Sequence, residues 1–332
     1  MTKAATWALH GSSAFSFVLT MGVVNLFADM TYEGGASVNG PFLGSLGANA
    51  AAISIVAGAG EFLGYSLRSV AGLIADRTGK YWLITFFGYS VNLLAVPAMA
   101  LANSWQMAAL LILLERTGRA IRKPTVEAML SCSTGKHGKG WVYAARPQGF
   151  TRSYALYMAA GAFFAAGLMS FELISYHLST TGIVTAHRIP LFLALATAFS
   201  VAATLVLGRL YDRIGIAAVV GAVLVASAFS PLVFFGGFWL ALAGLLLWGV
   251  GYATQDTLLK ALIASVLPEG RRNLAFGLFY LSYGGGWLLG SVTTGLLYEH
   301  SRVGLVVFAV VAQLASIPFF VLASRANRDR AQ

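Results

Sequence analysis

Ten apolar stretches of membrane-spanning length follow one another along this chain, and that succession constrains the fold more than any motif. They run over approximately 12–32, 47–75, 81–102, 105–131, 152–178, 189–211, 216–235, 237–266, 272–298 and 303–324. A helix crosses the hydrocarbon of a bilayer with about 20 apolar residues. Only 10% of the 332 residues are charged and 58% are hydrophobic, against about 25% charged in a soluble domain, so a soluble fold is excluded. The reading is an all-α polytopic membrane protein. Thirty-seven glycines suit helices that approach closely. Cys132 stands alone, which rules out an intrachain disulfide; no metal and no cofactor are expected. The N-terminal stretch shows no clear cleavage site and reads as the approach to a first span.

The cations fix a predicted orientation. Arg77, Lys80, Lys136, Lys139, Arg146, Arg152, Arg213, Arg271 and Arg272 fall in one set of connections, with Lys3, Arg325, Arg328 and Arg330 beside them. The opposite set holds Arg188 and Arg302. Positive loops stay cytoplasmic, so both termini are predicted in the cytoplasm of a plasma (inner) membrane. The formal charge of +10 therefore marks loops facing lipid headgroups, not nucleic acid.

The chain also repeats itself. GLIADRTGKYW at 72–82 and GRLYDRIGIAA at 208–218 share G-x-x-x-D-R-x-G, with Gly72, Asp76, Arg77 and Gly79 answering Gly208, Asp212, Arg213 and Gly215. EAMLSCSTGKHGKGWVYA and KALIASVLPEGRRNLAFGLF follow at similar separations. Two parallel halves related by an axis along the membrane normal are a transporter plan.

The fourth span is unusually ionic. LLERTGRAIRKPTVEAML carries Glu115, Arg116, Arg119, Arg122, Lys123 and Glu127. Trp105 to Leu114 rises about 15 Å, which brings Glu115, Arg116 and Arg119 near mid-membrane. A charge facing lipid there is costly, so these side chains are expected to face protein or a wet cavity. Arg122 and Lys123 can instead snorkel to headgroups. Asp29 and Glu33 lie four apart near the outer end of the first span, and Glu61 and Arg68 seven apart in the second. Asp256 and Lys260 are four apart in the eighth span, where they either carry protons or form a locked pair. His177 is expected to pack rather than to carry protons.

The doubled loop, the arginine of the fourth span and FADM in the first resemble the major facilitator superfamily across nearly the whole chain. The resemblance implies a two-bundle helical fold, but with four plus six helices, because TRSYALYMAAGAFFAAG resembles the family's seventh helix and directly follows the fourth. The expected divisions are a bundle at 1–145, a linker at 146–152, a bundle at 153–325 and a tail at 326–332. The family's fifth and sixth helices are missing from this plan, which leaves a flank open or covered by a second copy or subunit. The implied function is secondary active transport of a small organic solute, with proton-coupled efflux by alternating access. The alternative is a transport-incompetent protein serving as sensor, scaffold or subunit. Asp29, Glu33, Glu61, Arg116, Arg119, Asp256 and Lys260 are the expected pathway residues, and the two repeated loops the gates. Gly60, Gly64, Gly286 and Gly290, each pair in G-x-x-x-G, are expected to pack the second span on the ninth across the halves.

No H-E-x-x-H or G-x-S-x-G occurs, and neither G-K of STGKHGKG has a glycine five positions before it. An enzyme is not expected.

Overall fold

The computed structural model describes residues 11–133, 151–266 and 272–331. All regular structure there is helical. Four long helices form the first half: α1 (Gly11–Ser45), α2 (Ala50–Thr78), α3 (Tyr81–Ala98) and α4 (Trp105–Ser133). The second half begins with a broken rod, α5 (Arg152–Leu168) and α6 (Phe171–Thr180), whose break sits at Met169 with φ of 58°. Then come α7 (Ile189–Ile214), the pair α8 (Ile216–Ser227) and α9 (Phe229–Phe235), and α10 (Phe238–Ala253). A π-turn at Thr254–Leu259 leads into α11 (Lys260–Val266), followed by α12 (Arg272–His300) and α13 (Arg302–Ala331). α13 thus continues as helix through most of the segment read as a tail. Lys3, Lys136, Lys139, Arg146 and Arg271 lie outside the described residues.

Among the described residues seven segments are long and apolar enough to cross a membrane: 50–75, 81–101, 152–180, 186–214, 216–235, 238–263 and 302–327. The ionic α4 is not among them, nor are α1 and α12. The protein is an all-α polytopic membrane protein.

α1 corrects one expectation. It runs 13 residues past the predicted end at 32, through Gly34, Gly35, Gly40 and Pro41, to Ser45. Asp29 and Glu33 consequently lie near its middle, not its outer end. The glycines that read as a break are a contact surface: a Cβ at Gly44 would stand 2.7 Å from the Tyr176 ring, and one at Gly40 would strike the Glu172 carbonyl of α6.

Small residues set the other close contacts. α3 and α4 meet at Gly88 and Gly118, where Thr85 also donates to Thr125 at 2.7 Å. The G-x-x-x-G expectation is corrected. Gly286 and Gly290 rest against Ala162 and Ala166 of α5, within the second half. Gly60 makes room for the Arg116 side chain, and Gly64 has nothing within 4 Å of a built Cβ. α2 does pack on α12, but through Gly58 against Ser291, Gly284 against Tyr65 and Gly295 against Ser54. Ser54 Oγ donates to the Ser291 carbonyl at 2.6 Å, and Glu299 accepts from Ala51 N at 3.3 Å.

The repeated loops both end their helices on a glycine at positive φ, with different ψ (5° at Gly79, −129° at Gly215). Gly79 (φ 66°) closes α2 with its N–H on Ala75 O at 2.8 Å; Gly215 (φ 59°) closes α7 with its N–H on Tyr211 O at 2.8 Å. Gly79 is the left-handed cap that favours glycine, and Gly215 takes a positive-φ conformation that glycine also adopts most readily. Asp76 and Asp212 belong to the last helical turn. Asp212 and Arg213 are exposed, and no ion pair engages either among the described residues.

Candidate functional site: an ionic cavity between the halves

Arg116 is the hub. It is 2% exposed, and Gly60 on α2 lets its chain pass, since a Cβ there would stand 3.1 Å from Arg116 Cγ. Its Nη1 donates to Tyr32 Oη at 2.5 Å and to Glu61, while Nη2 donates to Glu172 Oε1 at 2.6 Å. Tyr32 comes from α1, Glu61 from α2 and Glu172 from α6, so one guanidinium ties three helices to α4. Arg119, one turn on, bonds Glu61 at 3.3 Å and lies 3.8 Å over the Tyr32 ring. Buried charges of opposite sign compensate one another's desolvation only when both are present.

Two flanking contacts complete the cluster. Glu115 turns away to α3, where Asn92 Nδ2 donates to it at 2.5 Å. Arg122 does not snorkel: it is 4% exposed, bonds Asp29 at 2.8 Å and Asn25 at 3.0 Å, and lies 4.8 Å over Tyr89.

A cavity of about 310 Å³ opens between the halves. Of the expected pathway residues, Glu33, Glu61, Arg116, Arg119, Asp256 and Lys260 line it. Asp29 does not; it pairs with Arg122 one turn before Glu33 on α1. Side-chain exposure rises along the ionic groups, from 3% at Arg116 and 5% at Glu172, through 12% at Glu61 and 15% at Arg119, to 44% at Lys260 and 57% at Asp256. The cavity is therefore blind at Glu172 and open at Asp256. Its blind end coincides with the contacts of Gly40 on α6 and of Gly295 on Ser54. Its open end is the one that bears Arg77, Lys80 and Arg213.

Asp256 and Lys260 pair at 2.9 Å around the π-turn, a helix irregularity frequent at functional sites. The same turn presents Gln255, whose Nε2 donates to Tyr65 Oη at 2.5 Å and whose Oε1 accepts from Tyr283 Oη at 2.8 Å. His177 packs, as expected: it is fully buried, 2.9 Å from Tyr298 Oη and with its ring 4.7 Å from that of Phe234.

Sequence reasoning missed Glu172, Tyr32, Tyr65 and Gln255 as cavity residues. Glu172 carried a usable signal, being an acid inside SFELISYH, an otherwise apolar stretch. The tyrosines carried none, because an aromatic in a span is as often lipid-facing.

One side of the cavity is bounded by exposed helix faces. On α1, Leu26, Asp29 and Glu33 share a stripe by i, i+3, i+7 spacing, and beside it Phe27 is 63% and Met30 61% exposed. On α7, Val201, Leu205 and Val206 are each about 60% exposed. These flank residues are large and apolar, not the small residues of a tight helix–helix seam.

Comparison with known proteins accords with this geometry. Uncharacterized protein Mb2288 of Mycobacterium bovis and Uncharacterized protein Rv2265 of Mycobacterium tuberculosis are each similar at 26% identity, over 92% of this chain and 92% of their own length. Each alignment extends over 376 positions, more than the 332 residues present here, so those relatives hold segments opposite which this chain has none. Uncharacterized MFS-type transporter MJ1317 of Methanocaldococcus jannaschii is 28% identical over 125 residues, 37% of this chain and 31% of its own. A family model described as Major Facilitator Superfamily matches residues 155–332. With more than half of its residues so matched, the chain belongs to the major facilitator superfamily, a family of membrane transporters.

Proposed function

We propose that the protein is a secondary active transporter that exports a small organic solute from the cytoplasm across the plasma (inner) membrane in exchange for protons, by alternating access. What carries this reading is the cavity between the halves, closed at one end by Arg116, Glu61 and Glu172 and open at the other beside Asp256. With positive loops inside, both termini are cytoplasmic and the open mouth faces the cytoplasm, which makes this the inward-facing state. Exchange then requires the Arg116–Glu172 pair to part and the basic end to close. The exposed Asp212 and Arg213 fit a gate loop that is disengaged while its own side is open.

Proton coupling needs a carboxylate that can lose its counter-charge. Glu33 lines the cavity without an ion pair among the described residues. Asp256 is held by a single exposed lysine. These two are the proposed proton carriers, and the buried Glu61 and Glu172 the structural ones.

The exposed flank of α1 and α7 favours a second reading, a membrane protein that no longer transports because a wall of its cavity is missing. The longer relatives support the absence of a helix pair from this chain. A flux assay separates the two. Purified protein in proteoliposomes, given an imposed pH gradient, should drive counterflow of at least one solute from a panel of organic anions, cations and neutral compounds. Asp256→Asn or Glu33→Gln should abolish the pH-driven component while leaving the protein folded. Absence of gradient-driven flux for every solute would hand the case to the second reading.

A further inference from the structure

We propose that the cavity holds a subsite for the anionic group of a planar aromatic solute, with Arg68 as its counter-charge and the tyrosine wall beside it as its platform. This names a substrate class for the transporter reading and rests on that reading.

Arg68 stands apart from the other arginines of the first half's interior. Arg116, Arg119 and Arg122 each have a carboxylate within 4 Å. Arg68, two helical turns after Glu61 on the cavity face of α2, has none among the described residues. Its Nε is buried without an acceptor. What holds it is aromatic: its guanidinium carbon lies 4.9 Å over the Tyr65 ring and 6.0 Å over that of Tyr280. Ring faces attract the cation but do not take its in-plane N–H donors, of which the buried Nε–H has no acceptor among the described residues. Those donors form a planar fork that matches a carboxylate or phosphate bidentately. A charge kept at membrane depth without a counter-ion is costly, and an incoming anion relieves that cost.

The wall next to Arg68 sets the rest of the ligand. Tyr65 and Tyr280 stack at 5.6 Å and 14°, and Tyr65 meets Tyr283 edge-on at 5.4 Å. Tyr283 continues to Trp287 at 6.0 Å, and Trp287 to Tyr252 at 5.9 Å. All of them line the cavity, whose volume of about 310 Å³ accommodates a bicyclic ring system. Aromatic walls also attract cations. Here, however, the carboxylates nearest the wall are spent: Glu61 and Glu172 on Arg116, Asp256 on Lys260. Glu33 lines the same cavity from α1. Among the described residues, the charge without an ion pair that lies on the wall rings themselves is that of Arg68.

The test compares three probes of one shape, 2-naphthoate, 2-naphthylmethylammonium and 2-naphthylmethanol, binding to the purified full-length protein by calorimetry. Naphthoate should bind about tenfold more tightly than the neutral alcohol, the size of one charge-assisted contact, and the ammonium more weakly than either. Arg68→Gln should erase the advantage of naphthoate. Arg68→Lys, which keeps the charge and loses the fork, should erase most of it, and serves if the glutamine variant does not fold. Equal binding of the three probes, tighter binding of the ammonium, or an anion preference that survives loss of Arg68 would overturn the proposal. If gradient-driven flux is found for another solute while naphthoate does not bind, the substrate class fails and the transporter reading stands. If naphthoate binds and no solute crosses, the subsite stands and transport fails.

Discussion

Arg116 of α4 and Glu172 of α6 meet at 2.6 Å, so the charge cluster of the first half is completed by a carboxylate from the second. The contact sits at the blind end of the cavity, and the backbone carbonyl of the same Glu172 is what Gly40 of α1 rests on. A cross-half ion pair in that position adds its stability to whichever state keeps this end closed. It should therefore bias the conformational equilibrium as well as the fold.

Glu172→Gln weakens this closure without removing the hydrogen-bonding atoms. In a Cys132→Ser background carrying Ser175→Cys, which is fully buried beside Gly40, thiol labelling from the closed side should accelerate about tenfold. That factor corresponds to about 1.4 kcal/mol of lost bias. An unchanged labelling rate would mean that backbone packing alone keeps this end shut.

Arg116→Leu should act on the whole fold. It leaves Glu61 and Glu172 buried with their main counter-charge gone, and removing one member of a buried cluster costs about 3–5 kcal/mol. The melting temperature in detergent should drop steeply. Arg116→Leu combined with Glu172→Gln should recover part of the loss, whereas additive losses would show that the pair is not coupled.

The helices were largely legible from the sequence because apolar runs dominate a bilayer-spanning chain. α4 begins at Trp105 and α5 at Arg152, as the apolar windows indicate. The overrun of α1 was not legible. Glycine and Pro41 stop an isolated helix, but here the missing side chains let α1 lie against α6, and tertiary contact overrides propensity. The ionic cluster could be placed in depth from helical rise, yet its partners could not be named. Whether Arg116 meets Glu172, 56 residues downstream, depends on how the halves dock. The G-x-x-x-G pairs failed for a related reason: a small-residue stripe says that something comes close without saying which neighbour.

That ambiguity yields a test of the interface. Gly58→Val and Gly295→Val should each destabilise by about 1–3 kcal/mol, the usual cost of overpacking, because a Cβ at either site would stand 2.5 Å and 2.7 Å from a serine Cβ across the α2–α12 seam. Gly64→Ala, with open space around it, should be neutral or stabilise by up to about 1 kcal/mol through helix propensity. Thermal unfolding of the three variants side by side gives the answer. A destabilised Gly64→Ala would restore that residue to the packing seam.

The repeated glycines predict unequal effects. Gly79→Ala places a Cβ on left-handed backbone at the end of α2, at a cost of about 1–2 kcal/mol, whereas Gly215 at the end of α7 has a ψ of −129°, where a side chain is tolerated less still. The loss for Gly215→Ala should exceed that for Gly79→Ala, and the two should add in the double variant, since the sites lie in different halves. Equal losses measured by thermal unfolding would show that the α7 terminus relaxes to accept the side chain.

The flank of α1 and α7 decides between lipid and protein as its cover. Phe27 and Leu205 are 63% and 60% exposed, and their size suits fluid acyl chains better than a close helix seam. A tryptophan placed by Phe27→Trp or Leu205→Trp, in a background with the native tryptophans changed to phenylalanine, should be quenched by lipids brominated on their acyl chains as strongly as one at Phe86, 75% exposed on the outer face of α3. Quenching at Phe86 but not at Phe27 or Leu205 would mean that a second copy or another subunit covers this flank. Cross-linking between cysteines placed at those positions, run on the same preparation, would then tell a second copy from a foreign subunit.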